Sequence, residues 1–343
     1  MPRRATARVD ISRTTNLLNL PPFQVHPFLR SAHLQTVVAP YLPFRQTPYR
    51  AKQHIVTLAD GDRIVLHDDL PEVWKPGGPI VLLLHGLGGS FRSGYVARAA
   101  MKLDVLGVRA FRMDMRGSGA GAKLARRPTH AGRSEDVAAA LACVRKMCPG
   151  SQIIVVGYSM GGNMVLKMAG EFGDDVPAQL DSVVSIAPPL DLRACSASLS
   201  TGVNRLYDKH YVWRCLRAVE LRLKNVPDAF TREVWPRPRS LREFDDLFTA
   251  PLAGFKNADD YYEQASAMYV VPKIRVPTLI FTSVDDPIIP VAGFERLSYP
   301  SCVHVQMVKA GGHLGFFGRS GDDPDRRWMD WRVLDWIKIR FKL

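Results

Sequence analysis

Val155-Val-Gly157-Tyr-Ser159-Met-Gly161-Gly-Asn163 places a serine between two glycines, directly after the β-branched run 153–156. The run predicts a strand, and the residues after Ser159 predict a helix. A strand feeding a helix through so tight a turn forces its central residue into strained backbone geometry. Glycine at 157 and 161 lets the two elements approach without a side-chain clash. The serine hydroxyl then stands exposed at a helix N-terminus, where the first backbone N–H groups lack intrahelical partners and favour negative charge. Those are the needs of a nucleophile, with the Met160 amide as one donor to an oxyanion.

A serine hydroxyl is a weak nucleophile until a base takes its proton, and the base needs an acid to fix its tautomer. Of the nine histidines, His313 sits in a glycine-rich loop, Ala310-Gly-Gly-His-Leu-Gly-Phe316, just after the last predicted strand. Small neighbours let its ring reach the serine, so His313 is the expected base. The loop after the predicted strand 278–283 offers an acid: Ser283-Val-Asp285-Asp286-Pro287-Ile-Ile-Pro290. Two adjacent carboxylates cannot both point at one imidazole. Asp286, followed at once by proline, is the expected acid. Asp285 is the alternative, or a helper that accepts loop N–H groups, and Asp191 is a third candidate. The second oxyanion donor is expected in the loop after the predicted strand 80–85, His85-Gly-Leu87-Gly-Gly89, at the Leu87 amide; His85 is read as a brace. Asp114-Met-Arg116-Gly-Ser-Gly119 is read as a turn held by an internal ion pair or by backbone hydrogen bonds.

Outward from these motifs, short apolar runs alternate with helical patterns, the signature of a mostly parallel sheet with helices on both faces. Strands are expected at 63–70, 80–85, 108–113, 152–158, 182–186, 278–283 and 303–308, and helices at 93–106, 134–147, 160–171 and 325–341. The second helix opens on Ser134, Glu135 and Asp136, read as a capped and dipole-matched start. Met329, Val333, Trp336 and Ile337 form an apolar stripe read as core packing. Between 196 and 272 the alternation stops, and the segment is helical and aromatic. An insertion there would sit over the carboxyl ends of the strands, where open α/β sheets bind ligands, so a helical lid is expected. The division is then a basic tail at 1–22 and one domain at 23–343.

The chain of 343 residues is 46% hydrophobic and 23% charged, a globular composition. No run reaches the roughly 18 apolar residues of a membrane span, and no apolar segment follows the basic start, so the expected location is the cytoplasm. Five cysteines without a C-x-x-C pair suggest neither disulfides nor zinc. Of the net charge of +13, residues 1–50 contribute +6, from seven arginines against Asp10. A tail of this kind argues against a nucleic-acid function and for at most weak attraction to anionic membranes. No phosphate loop, H-E-x-x-H or dinucleotide fingerprint is present, so neither a cofactor nor a metal is indicated.

Four stretches together resemble the YheT-type α/β-hydrolases, related to the abhydrolase-domain esterases and lipases of eukaryotes. They are His26-Pro-Phe with Ser31-Ala-His33-Leu-Gln-Thr36, the HGLGGS run at 85–90, GYSMGGN at 157–163, and Phe244-Asp-Asp through Ala265-Ser266. The order Ser159, Asp286, His313 is the one this fold uses. The resemblance implies an α/β-hydrolase fold and a serine hydrolase acting on small-molecule carboxylic esters, with apolar short- to medium-chain acyl groups. Thioesterase and amidase chemistry use nearly the same parts, and a binding protein that kept the fold is the alternative to an enzyme.

Overall fold

The computed structural model describes residues 21–44, 48–226 and 237–343, so the basic tail lies almost wholly outside the described residues. Eight strands form one sheet: β1 (Lys52–Thr57), β2 (Arg63–Asp69), β3 (Ile80–Leu84), β4 (Arg109–Asp114), β5 (Ile153–Tyr158), β6 (Leu180–Ile186), β7 (Thr278–Ser283) and β8 (Val303–Val308). Their order is β1-β2-β4-β3-β5-β6-β7-β8. β2 pairs antiparallel with both of its neighbours, and every other pairing is parallel.

The longer helices are α1 (Ala32–Val37), α2 (Gly94–Val105), α3 (Ser134–Met147), α4 (Met160–Phe172), α5 (Leu192–Leu199) and α6 (Arg205–Asn225). They continue with α7 (Leu241–Phe244), α8 (Ala250–Ala253), α9 (Ala258–Ala265), α10 (Ala292–Glu295) and α11 (Trp328–Phe341). β3 and β5 are buried along their whole length, as strands covered on both faces must be. Alternate residues serve opposite layers. Leu82, Leu84, Ile153 and Val155 pack with Val137 and Leu141 of α3 and Met164 and Met168 of α4. Leu83, Ile154, Val156 and Tyr158 pack with Val96 and Leu103 of α2 and with the α11 stripe Met329, Val333, Trp336 and Ile337.

Three local expectations change. β1, absent from the sequence reading, is an edge strand with a single buried residue, Val56, so its polar sequence carries no apolar period. It is held by a six-residue register with β2. Ser134 does not cap α3: Arg133 occupies that position without a side-chain cap. The Ser134 hydroxyl instead donates to the Gly132 carbonyl and the Glu171 carboxylate, and Asp136 binds Arg116. The last helix starts at Trp328, not 325, because Asp325 turns to accept the Arg327 N–H and the Trp331 indole N–H.

The connection from β6 to β7 holds α5 to α9. Within the segment expected as a lid, Tyr261, Ala265, Ala267 and Val271 join the main core rather than standing over it. No helix among the described residues is long and apolar enough to cross a membrane.

Candidate active site

Ser159 is the turn between β5 and α4, with φ 52° and ψ −120°, a conformation that costs a non-glycine residue on the order of 1–3 kcal/mol. Its surroundings over-determine it. The Ser159 N–H donates to the Ile186 carbonyl at 2.8 Å, and its own carbonyl accepts from the Asn163 N–H. A Cβ on Gly157 would run into the Gly161 carbonyl, and one on Gly161 would meet the His85 carbonyl, so both glycines are steric necessities. Asn163 locks the far side of the turn by donating to the carbonyls of Ala131 and Ala265 and accepting from the Ala267 N–H.

His313 approaches from the loop after β8. Its Nε2 lies 2.9 Å from the Ser159 Oγ, and its Nδ1 lies 2.8 Å from the Asp286 Oδ2. The other Asp286 oxygen accepts the N–H groups of Ile288 and Ile289 at 2.8 and 3.0 Å, which leaves Oδ2 directed at the imidazole. Asp285 is turned elsewhere: its Oδ1 accepts the Gly312 N–H at 2.9 Å and braces the histidine loop. Asp191 caps α5 by accepting the Ala194 N–H, away from the imidazole contact. Adjacent carboxylates therefore divide into one that touches the imidazole and one that holds its backbone.

The loop after β3 carries Leu87 against the same cavity as Ser159 and Met160. His85 is fully enclosed, its Nδ1 bonded to the Gly86 carbonyl and its Nε2 accepting the Met115 N–H, and burial holds its pKa down, so it braces as a neutral ring. The Tyr95 hydroxyl accepts the Gly86 N–H at 2.9 Å. In the Asp114–Gly119 turn the two charged residues do not pair with each other. Asp114 accepts from the Phe91 and Ala120 N–H groups, while Arg116 is held by Asp60, Asp62 and Asp136.

The sequence reading named α1 only as part of a resemblance. Its Thr36 hydroxyl accepts the His313 N–H at 2.9 Å. Gln35, fully buried, donates to the Leu29 and Phe317 carbonyls and accepts the Phe317 N–H. Any Cβ on Gly312 or Gly315 would strike α1 backbone. His33 bonds the Tyr207 hydroxyl of α6 at 2.8 Å, so the same helix also reaches the segment above the site.

Ser159 opens on a cavity of about 1320 Å³, its solvent mouth included, with Leu192, Leu199, Val219, Phe244 and Phe248 among its apolar walls. Polar groups interrupt them. Arg214 donates to the Gly88 carbonyl and so ties α6 to the loop that carries Leu87. Asp245 accepts from Thr249 and Tyr262, and burial pushes its carboxyl up to about 7. His130 is pulled down to about 3 by burial and by Arg133, and is a neutral ring at the cavity wall. No group of three metal-ligating side chains occurs among the described residues.

A strained serine between glycines on a mostly parallel sheet defines an α/β-hydrolase. Residues 79–320 match the family described by the α/β-hydrolase fold, and the chain belongs to it. It is 33% identical over 318 residues to YheT, a candidate esterase of Escherichia coli (strain K12), covering 90% of each chain. It is 27% identical over 290 residues to the mouse phospholipase ABHD3, covering 82% of this chain and 70% of that one. Among solved structures, Est1E of Butyrivibrio proteoclasticus with ferulic acid bound superposes with TM-score 0.53 at 16% identity, over 84% of this chain and 100% of that one. That likeness is one of fold. Esterases and lipases among the sequence relatives support hydrolase activity.

Proposed function

We propose that the protein hydrolyses carboxylic esters through an acyl-enzyme on Ser159. His313 Nε2 takes the hydroxyl proton as the oxygen attacks the ester carbonyl, and Asp286 holds Nδ1–H and balances the imidazolium that forms. The Leu87 and Met160 amides stabilise the oxyanion. The protonated imidazole returns its proton to the leaving alcohol, and water, deprotonated by the same nitrogen, then releases the acid. The observation that carries this reading is the unbroken line Ser159 Oγ, His313 Nε2, His313 Nδ1, Asp286 Oδ2 at 2.9 and 2.8 Å, with Ser159 lining a largely apolar cavity. The walls favour apolar short- to medium-chain acyl groups, and the part of the β6–β7 segment that packs as its own cluster, around Cys215, Phe244 and Phe248, serves as the lid.

A fluorophosphonate probe followed by peptide mapping tests it. Stoichiometric label on Ser159, lost in Ser159→Ala and in His313→Ala, is expected, together with a fall in ester turnover of roughly a thousandfold or more in each variant. Turnover of Ser159→Ala near that of the parent would sink the mechanism. A panel of matched ester, thioester and amide substrates then ranks the leaving groups.

A further inference from the structure

Among the described residues, two buried arginines line the cavity, Arg116 and Arg222, and they differ in one respect. Arg116 is surrounded by the carboxylates of Asp60, Asp62 and Asp136, each at 2.6–2.7 Å. Arg222 of α6, only 8% exposed, has no such partner among the described residues. Its hydrogen bonds all leave from Nη1 and end on backbone carbonyls, those of Ala125 at 3.3 Å, Arg126 at 3.0 Å and Arg127. The nearby carboxylate that favours its charge, Asp62, is already engaged by Arg116 and by the Arg126 and Arg127 amides. Nε and Nη2 take no hydrogen-bond partner among the described residues. Nη2 lies against Gly117, where any Cβ would collide with it.

A guanidinium that only braced α6 against the 125–127 loop would need Nη1 and nothing more. The Nε–Nη2 edge is the side of the fork that matches the two oxygens of a carboxylate or phosphate. Here that edge belongs to a side chain lining the same cavity as the serine. Burial, with Arg116 and Arg133 nearby, pulls the Arg222 pKa down to about 10, as expected of an enclosed cation awaiting a counter-charge.

We infer that Arg222 is an anion subsite, and that the substrate is an ester carrying a second, ionised oxyanion group, carboxylate or phosphate, which the Nε–Nη2 edge binds. The inference deepens the ester-hydrolase reading and rests on it. The remote anion supplies binding and orientation, and the bond cleaved remains the ester at Ser159. In a largely apolar cavity a charged tail without this partner would lose its hydration uncompensated, so the subsite also sets which esters are admitted.

The test uses nitrophenyl hemiesters of a medium-chain diacid with a free ω-carboxylate, the same esters methyl-capped, and an ω-phosphate series. Each is assayed with the parent protein, Arg222→Met and Arg222→Lys. The parent is expected to favour one anionic series over the capped esters by roughly tenfold to a hundredfold in kcat/KM, the worth of a charged hydrogen bond. That ratio should collapse in Arg222→Met and shrink in Arg222→Lys, which keeps a donor for the loop carbonyls but loses the fork. The favoured series tells carboxylate from phosphate. Equal treatment of charged and capped esters by the parent, or an unchanged ratio in Arg222→Met, overturns the subsite while leaving Ser159 chemistry intact. Calorimetry of octyl phosphate and of monomethyl sebacate on Ser159→Ala, with and without Arg222→Met, reads the same site without turnover. Failure of fluorophosphonate labelling would sink the serine reading and with it the ester assignment, the calorimetry still reading the anion site, whereas equal binding to both proteins, or none to either, would sink the anion subsite alone.

Discussion

Ser159 and His313 meet at 2.9 Å from two loops that are held in opposite ways. The serine turn is fixed by what adjoins it: β5, α4 and the backbone of the His85 loop, all packed so closely that Gly157 and Gly161 tolerate no side chain. The histidine loop has little of its own to fix it. Gly311 and Gly312 adopt positive φ, and so do Leu314 and Phe316, which favour it far less. That shape is imposed by Asp285 from the neighbouring loop and by Thr36 and Gln35 from the far end of the sequence. Both loops combine close packing with hydrogen bonds, but the serine turn is pinned within the sheet and its neighbouring helix, whereas the histidine loop leans on a helix from the other end of the fold, so they should fail differently.

The largest effect is expected at the turn. In Gly161→Ala the added methyl lies 2.5 Å from the His85 carbonyl oxygen, and a backbone atom cannot swing aside. Ester turnover should fall by at least about a hundredfold, since misplacement by an ångström is enough for that, and thermal stability should fall with it. Kinetics with a melting curve reads both, and an active, stable Gly161→Ala would break the steric account. Thr36→Val is gentler: the shape is kept and the acceptor of the His313 N–H is removed. A tenfold loss in kcat is the rough expectation, with KM and melting temperature little changed and with rescue by Thr36→Ser. Equal losses of stability and kcat would mean that α1 only supports the fold.

The smallest effect belongs to the cavity wall. Asp245 has its folded pKa raised to about 7 by burial, so the stability it contributes is complete below the ordinary carboxylate range and is lost as pH rises through about 7. Asp245→Asn keeps the neutral shape at every pH. Relative to this variant, the parent melting temperature should drop by a few degrees between pH 5 and pH 8, and a constant difference would show that Asp245 does not titrate there.

What could be read from the sequence follows the same division. The turn was legible because its signature, a serine between glycines after an apolar strand run, is local, although the contacts that hold it reach His85, Ile186, Ala131 and Ala265. The buried strands beside it were legible as unbroken apolar runs. Glycine and proline spacing pointed to His313 and to the Asp285–Asp286 pair, each in a loop after a strand, but the choice between the two carboxylates needed the side-chain directions. The grip of Thr36 on His313 could not be read, because it spans 277 positions and nothing local to Thr36 marks it. The partners of Arg116 were hidden similarly: Asp60, Asp62 and Asp136 come from two distant segments, and the turn offered Asp114 as a nearer but unused partner. β1 escaped notice because an exposed edge need not be apolar. Arg222 gave no signal and Asp245 only as part of a resemblance, since a charge on a helix reads as a solvated face until the fold puts it inside.

The hold of α1 on the histidine loop also sets an order of events during synthesis. A chain made from its N-terminus releases Thr36 long before Gly312 and His313, and α1 has no loop to dock on until β8 has followed β7 into the sheet. The strands through β7 can pair while the ribosome is still working. The closure that positions the imidazole spans 277 positions, one of the longest loops the fold has to close. Nascent protein thus carries the Ser159 turn before it carries the His313 loop, and the proposed triad can assemble only once that loop has docked on α1.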